Sequence, residues 1–226
     1  MDYLINQRKL EESDIDKFRI GFTSYPKLEI TSDPDYATIC EETKGPFGPP
    51  NSLFRLKKKI LLPLENSAGL VNGLVTRSIE KDTKYRYCQY LLKESKDIGA
   101  FFGLRQAYPS ILDTGIVFVT EGAFDCISLS KVYPNTVSTL TSYINSDQMW
   151  FLDMIADYIV IVFDPDKAGR EGSEKVFFEN RSSSKKLINR EIGHKDLNDI
   201  LKEKGFNDFK KIVEKSLSTV KNFKIR

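Results

Sequence analysis

The sequence is poor in the residues that most often carry metal and redox chemistry. It holds one histidine, His194, one tryptophan and three cysteines, Cys40, Cys88 and Cys126. A single histidine argues against Cys–His catalysis and against a His-rich metal centre. The cysteines are odd in number, far apart and form no Cys-x-x-Cys pair, which excludes a disulfide framework and a zinc ribbon. They read as small buried thiols of a reducing compartment. No apolar run approaches the roughly 20 residues that cross a bilayer, and MDYLINQRKLEES at the start lacks the apolar core of a secretory signal. There is no internal repeat and no low-complexity tract. What is present is a globular composition, 226 residues with 29% charged and 40% hydrophobic side chains, enough for one or two domains with a proper core.

The net charge of +2 conceals a segmental pattern. Residues 1–54 carry −4, residues 55–109 carry +6, residues 110–200 carry −5 and residues 201–226 carry +5. A basic stretch beside an acidic one suits a site that attracts phosphate with one part and holds divalent cations with the other. Ordinary scatter of surface charge produces the same numbers, so charge alone decides nothing.

The first half is mixed. Residues 3–18 predict an amphipathic helix on Tyr3, Leu4, Leu10 and Ile15, with Ser13 as a cap for a second short turn. Residues 31–50, rich in Pro, Gly and Asp, predict a loop. Ile60–Leu64 and Leu70–Thr76 predict two strands joined by a polar turn, with Pro63 marking the first as an edge or bulged strand. An aromatic stretch, Tyr85, Tyr87 and Tyr90, follows, then a short helix around Leu104–Tyr108.

From Asp113 the pattern alternates strand and helix: GIVFVTEG, AFDCISLSKVY, NTVSTL, NSDQMWFLDMIA with Asn145 or Ser146 as its cap, YIVIVFDPD, AGREGSEKVFFE, KLINREIG, and two closing helices with Gly205 ending the first. Alternation predicts a parallel sheet, with YIVIVFDPD as its buried central strand. Three acidic groups fall where strands end: Glu121, then Asp164 and Asp166, then Asp196 and Asp199. Open parallel sheets gather functional groups beyond the carboxyl ends of their strands. Carboxylates brought together repel, and a hard divalent cation resolves that repulsion. The chemistry such a site serves is phosphoryl transfer. Asp166 and Asp196 also stand where helix N-caps belong, and Asp-Pro-Asp favours a turn.

These motifs carry a resemblance. VTEGAFDCISL and FDPDKAGREG resemble the hydrophobic-Glu-Gly and Asp-x-Asp motifs of the TOPRIM domain shared by bacterial-type primases, topoisomerases and some nucleases. HKDLNDIL resembles the third, Asp-Pro-Asp-Glu-Leu element, with Leu197 and Asn198 in place of the Pro and the second Asp. Upstream, YLINQRKLEESDIDKFRIGF, RLKKKILLPLENSAGLVNGLVTRSIEKDTKYRYCQ and FFGLRQA resemble the polymerase domain of bacterial (DnaG-like) replicative primases. Lys9 stands for a family Gly, and Val75-Thr76-Arg77 for Gly-Gly-Arg.

The resemblance implies an α/β protein: a basic α+β subdomain over residues 1–112, a TOPRIM parallel-sheet domain over 113–204 and a short helical segment over 205–226. It implies a DNA primase that joins ribonucleoside triphosphates into short RNA primers on single-stranded DNA. Glu121 would act as general base and metal-proximal acid, Asp164 and Asp166 would bind magnesium, or manganese in its place, and Asp196 would assist a further metal. Asp125 reads either as a supporting acid or as an exposed helix residue. Arg8, Arg55, Lys59, Arg77 and Lys84 would line a groove for template and nucleotide phosphates, and Tyr85 would stack on a base or pack in the core. Lys57 and Lys58 read equally as solvated charge. No zinc site is expected. The chain looks like a stripped catalytic core, so a replicative helicase or a separate zinc-binding or helicase-binding protein is an expected partner. The expected location is a bacterial or phage-infected cytoplasm; 24 Lys against 10 Arg suits an AT-rich phage genome. The competing readings are a TOPRIM nuclease, which needs no nucleotide groove, and a non-catalytic single-strand-binding subunit. A topoisomerase needs a nucleophilic Tyr in a separate domain.

Overall fold

Strand and helix signals of the second half translate directly into a layered α/β unit. The structure is a computed structural model that describes residues 2–23, 59–80, 86–91, 101–181 and 186–220. The chain divides into two compact units, residues 1–100 and 101–226.

In the second unit, β5 (Ile116–Thr120), β6 (Thr136–Ser138), β7 (Tyr158–Val162) and β8 (Lys186–Asn189) form a parallel sheet of order β6-β5-β7-β8. Side chains alternate between its faces, as the period of 2 requires. Val117, Val119, Ile159 and Ile161 join a core that includes Leu104, Ala107, Ile111, Met149, Leu152 and Val176. These come from α2 (Leu104–Thr114), α4 (Ser146–Ile155) and α5 (Lys167–Glu179). Ile116, Phe118, Val160 and Val162 join the opposite core with Leu129 of α3 (Ala123–Ser130) and with Leu197, Ile200, Phe209 and Val213 of α6 (Leu197–Ser216). Burial on both faces explains why β5 and β7 read as unbroken apolar runs. Asn145 caps α4 by accepting from Gln148 N at 2.8 Å. Gly205 interrupts α6 at φ 72 and ψ 168, where the sequence predicts a helix end.

The helix predicted around Leu104–Tyr108 runs on to Thr114, through Pro109. It packs in the second unit's core. The division therefore falls at residue 100, ahead of the boundary at 112 that the sequence suggests.

The first unit is an antiparallel sheet, β1 (Gly21–Thr23), β2 (Lys59–Glu65), β3 (Val71–Ser78) and β4 (Tyr87–Leu91), in that order. The chain departs from two expectations here. Residues 3–18 are not one helix: a π-helical turn at Tyr3–Gln7 is separated from α1 (Glu12–Lys17) by Lys9, whose φ is +56°. Glu11, not Ser13, takes the cap position of α1, its N–H donating to Asp14 Oδ2 at 2.9 Å. Pro63 sits in a strand paired on both sides, but β1 reaches only Lys59, Ile60 and Leu61, so at Pro63 the strand has β3 alone as neighbour. The expected irregularity appears next to it, between Leu64 and Glu65. The aromatic stretch supplies β4, which the sequence reading leaves without a strand. Cys88 and Cys126 are buried thiols, and Cys40 lies outside the described residues, as does the loop predicted over 31–50. Among the described residues no helix is long and apolar enough to cross a membrane.

Candidate active site

The carboxyl ends of β5 and β7 lie side by side, with Thr120 in register with Val162. Each strand hands the chain to an acid: Glu121 directly after β5, Asp164 two residues after β7. Glu121 is gripped from both sides. Its carbonyl accepts from Ser138 Oγ of β6 at 2.7 Å, and its Oε1 accepts from the Asp164 N–H at 3.1 Å. The first turn of α5 closes over both acids. A methyl group on Gly169 would stand 2.2 Å from the Asp164 carbonyl oxygen and 2.5 Å from Glu121 Oε1, so only glycine fits there.

Asp166 caps α5, its Oδ1 accepting from Gly169 N at 2.8 Å, and Asp196 caps α6, its Oδ1 accepting from Asp199 N at 2.6 Å. The helix-cap reading of these two acids is therefore correct. It does not compete with a site, because a cap uses one carboxylate oxygen.

The electrostatics tie the acids into one group. Burial, then the charge of Asp164, pushes Glu121 up to about 7; the Asp164 N–H opposes this, and Asp166 adds to the rise. Burial also pushes Asp164 up to about 6, followed by the charges of Asp196, Asp166 and Asp199. Asp164 thus lies within electrostatic reach of Glu121, Asp166 and Asp196 at one end of the parallel sheet.

Asp125 is buried, not exposed on its helix. Its Oδ1 accepts from the backbone N–H of Asn198 at 3.0 Å, tying α3 to the first turn of α6. Asn198 is buried too and gives its side-chain amide to Ser128 Oγ at 3.3 Å. Asn198 thus faces α3. Asp125 and Asn198 tie α3 to α6, and Gly169 lets α5 approach Glu121 and Asp164. The sequence signal for the first was its place one helical turn after Glu121.

The donor set is all oxygen and mutually repelling, with Glu121, Asp164 and Asp196 half-buried and Asp166 exposed, which fits a hard divalent cation. Among the described residues no three acids already stand at ligand spacing.

The first unit gathers a second charged cluster. Tyr87 of β4 pairs in register with Arg77 of β3, and the Arg77 guanidinium lies 5.1 Å from the Tyr87 ring centroid. It also lies 5.9 Å from the ring of Tyr3, which Arg8 approaches at 5.5 Å while its Nε donates to the Tyr3 hydroxyl at 2.9 Å. One ring thus serves two like charges. Burial, helped by Arg8 and Arg86 and opposed by Tyr87 and Tyr3, holds Arg77 below its ordinary value. Burial raises the Tyr87 phenol, with Arg77 and Arg8 opposing. An anion is what such a cluster accommodates.

Lys59 does not join it. Its partner across the sheet is Ser78, one residue from Arg77, so its side chain takes the opposite face. There, burial lowers its pKa while Cys88 and Glu80 raise it. Arg55, Lys84 and Tyr85 lie outside the described residues.

The sequence and the fold are similar to those of known proteins. Residues 118–201 match the Toprim-like family. The chain is 24% identical over 176 residues to the DNA primase of Aquifex aeolicus, covering 74% of this chain and 35% of that protein. It is 22% identical over 234 residues to the DNA primase of Listeria innocua, covering 98% of this chain and 37% of that one. The chain thus spans little more than a third of these relatives' length. Its fold matches the RNA polymerase domain of Mycobacterium tuberculosis primase DnaG with a TM-score of 0.75 at 18% identity, covering 98% of this chain and 79% of that one. It also matches a DnaG primase catalytic domain solved bound to single-stranded DNA, with a TM-score of 0.70 at 17% identity, over 94% of this chain and 70% of that one.

Proposed function

We propose, starting from a chain that carries a Toprim-like domain and is a relative of the bacterial DnaG-type primases, that it is a primase catalytic core making short RNA primers on single-stranded DNA. The observation that carries this reading is the convergence of Glu121, Asp164, Asp166 and Asp196 beyond the ends of two adjacent parallel strands.

Glu121, Asp164, Asp166 and Asp196 would hold the cation. Magnesium or manganese, when bound there, supplies polarisation of phosphoryl oxygens and offsets the charge of a nucleoside triphosphate. Glu121, half-buried and fixed by the Asp164 N–H, takes the proton of the attacking 3′-hydroxyl. The new bond joins that oxygen to the α-phosphorus, and pyrophosphate leaves. Asp125 keeps the first turn of α6, and with it Asp196, in position. Arg77 and Arg8 bind template or nucleotide phosphate, held by Tyr3 and Tyr87. A helicase or a zinc-binding protein would supply template selection, in the cytoplasm where replication proceeds.

The test is incubation of the pure chain with single-stranded DNA, labelled ribonucleotides and magnesium or manganese. Short RNA products that require a template are expected. Metal-dependent degradation of the DNA without RNA products would replace the primase reading with the nuclease.

A further inference from the structure

The outer surface of α2 and α4 is apolar where it should be wet. Leu112 is 57% exposed, Trp150 62% and Met154 55%. Trp150 and Met154 stand one turn apart on α4, so they form a single ridge. Leu112 and Met154 line a cleft of about 260 Å³ together with Asp113, Gly115 and Asp157. Gly115 and Asp157 immediately precede β5 and β7, so the cleft opens at the amino ends of those strands. The acids gather at the carboxyl ends, roughly 15 Å of strand away. The cleft is therefore separate from the candidate active site.

The charged residues that line it are both acidic. Asp113 and Asp157 line the cleft, and Asp147 and Asp153 lie on α4. Residues 106–130 and 132–166, which contain every residue of the cleft and the ridge, include no Lys or Arg. Lys186 stands next to Asp157, its N–H donating to the Asp157 carbonyl at 3.3 Å, and the four aspartates outweigh it, which disfavours nucleic acid and anionic membrane as occupants. A second copy of the same face would set acid against acid.

We propose that this face docks a basic amphipathic segment of a partner protein. Apolar side chains at helical spacing cover Trp150 and Met154 and enter the cleft beside Leu112, and flanking Lys or Arg side chains meet the aspartates.

Trp150 is the chain's one tryptophan, so its emission reports this surface. The probe is a synthetic amphipathic helix of Leu and Lys, titrated into the full chain, beside the same peptide with Glu for every Lys. The Leu–Lys peptide is expected to shift the emission to the blue and to saturate, and the Leu–Glu peptide to leave it unchanged. Met154→Asp, and separately the pair Asp147→Lys with Asp153→Lys, should each weaken binding about tenfold or more, with an unchanged circular dichroism spectrum and unchanged primer synthesis. An equal response to both peptides would overturn the proposal, as would unaltered affinity in the variants. A blue shift on concentrating the protein without peptide would assign the face to a second copy instead.

Discussion

Glu121 accepts the Asp164 N–H at 3.1 Å while half-buried, and both carboxyls protonate well above their ordinary range. Their ordinary values are 4.5 and 3.8, against about 7 and about 6 in the folded chain. Between these limits the folded state binds more protons than the unfolded one, so stability falls as pH rises through the window. In the presence of a chelator, the melting temperature should therefore rise when pH is lowered from about 8 to about 5. Glu121→Gln should flatten that slope, which a thermal melt series reads directly; an unchanged slope would show that Glu121 does not titrate there. Asp125→Ala removes the acceptor of a buried N–H and should destabilise the chain by about 1–3 kcal/mol, with primer synthesis falling further than stability explains. Chemical denaturation and an activity assay at low temperature separate the two effects.

At the scale of elements, the joints decide the site. Gly169→Ala keeps α5 helical in propensity, yet its methyl would collide with Asp164 and Glu121. Loss of primer synthesis with a destabilisation of about 1–3 kcal/mol is expected. A fully active Gly169→Ala protein would mean that α5 does not close over the acids. Lys9→Gly should instead stabilise the first unit by about 1 kcal/mol, because a lysine at φ +56° is strained and glycine is not; comparative denaturant melts check it. Lys9 also shows why the predicted helix over 3–18 broke. Apolar spacing is continuous across it, and no glycine announces the turn. The strands β5 and β7, by contrast, were legible because burial on both faces writes itself as uninterrupted Val and Ile. β4 was not, since its residues are largely aromatic and polar and become a strand only by pairing with β3.

For the whole molecule, the acids were readable from short motifs at strand ends, because the parallel topology brings those ends together. The supporting contacts were not. Asp125 and Asn198 are 73 residues apart, and the Tyr3 ring that serves Arg8 and Arg77 joins the chain's first turn to the end of β3. Such pairings belong to packing and leave no local signal. We place the chemistry on the acids of the second unit and the phosphate contacts on the arginines of the first. The most direct test measures single-stranded DNA affinity and primer synthesis side by side for Asp164→Ala and Arg77→Ala. Asp164→Ala should bind DNA nearly as the parent does and make no primer, while Arg77→Ala should weaken DNA or nucleotide binding. Full primer synthesis by Asp164→Ala would contradict the account.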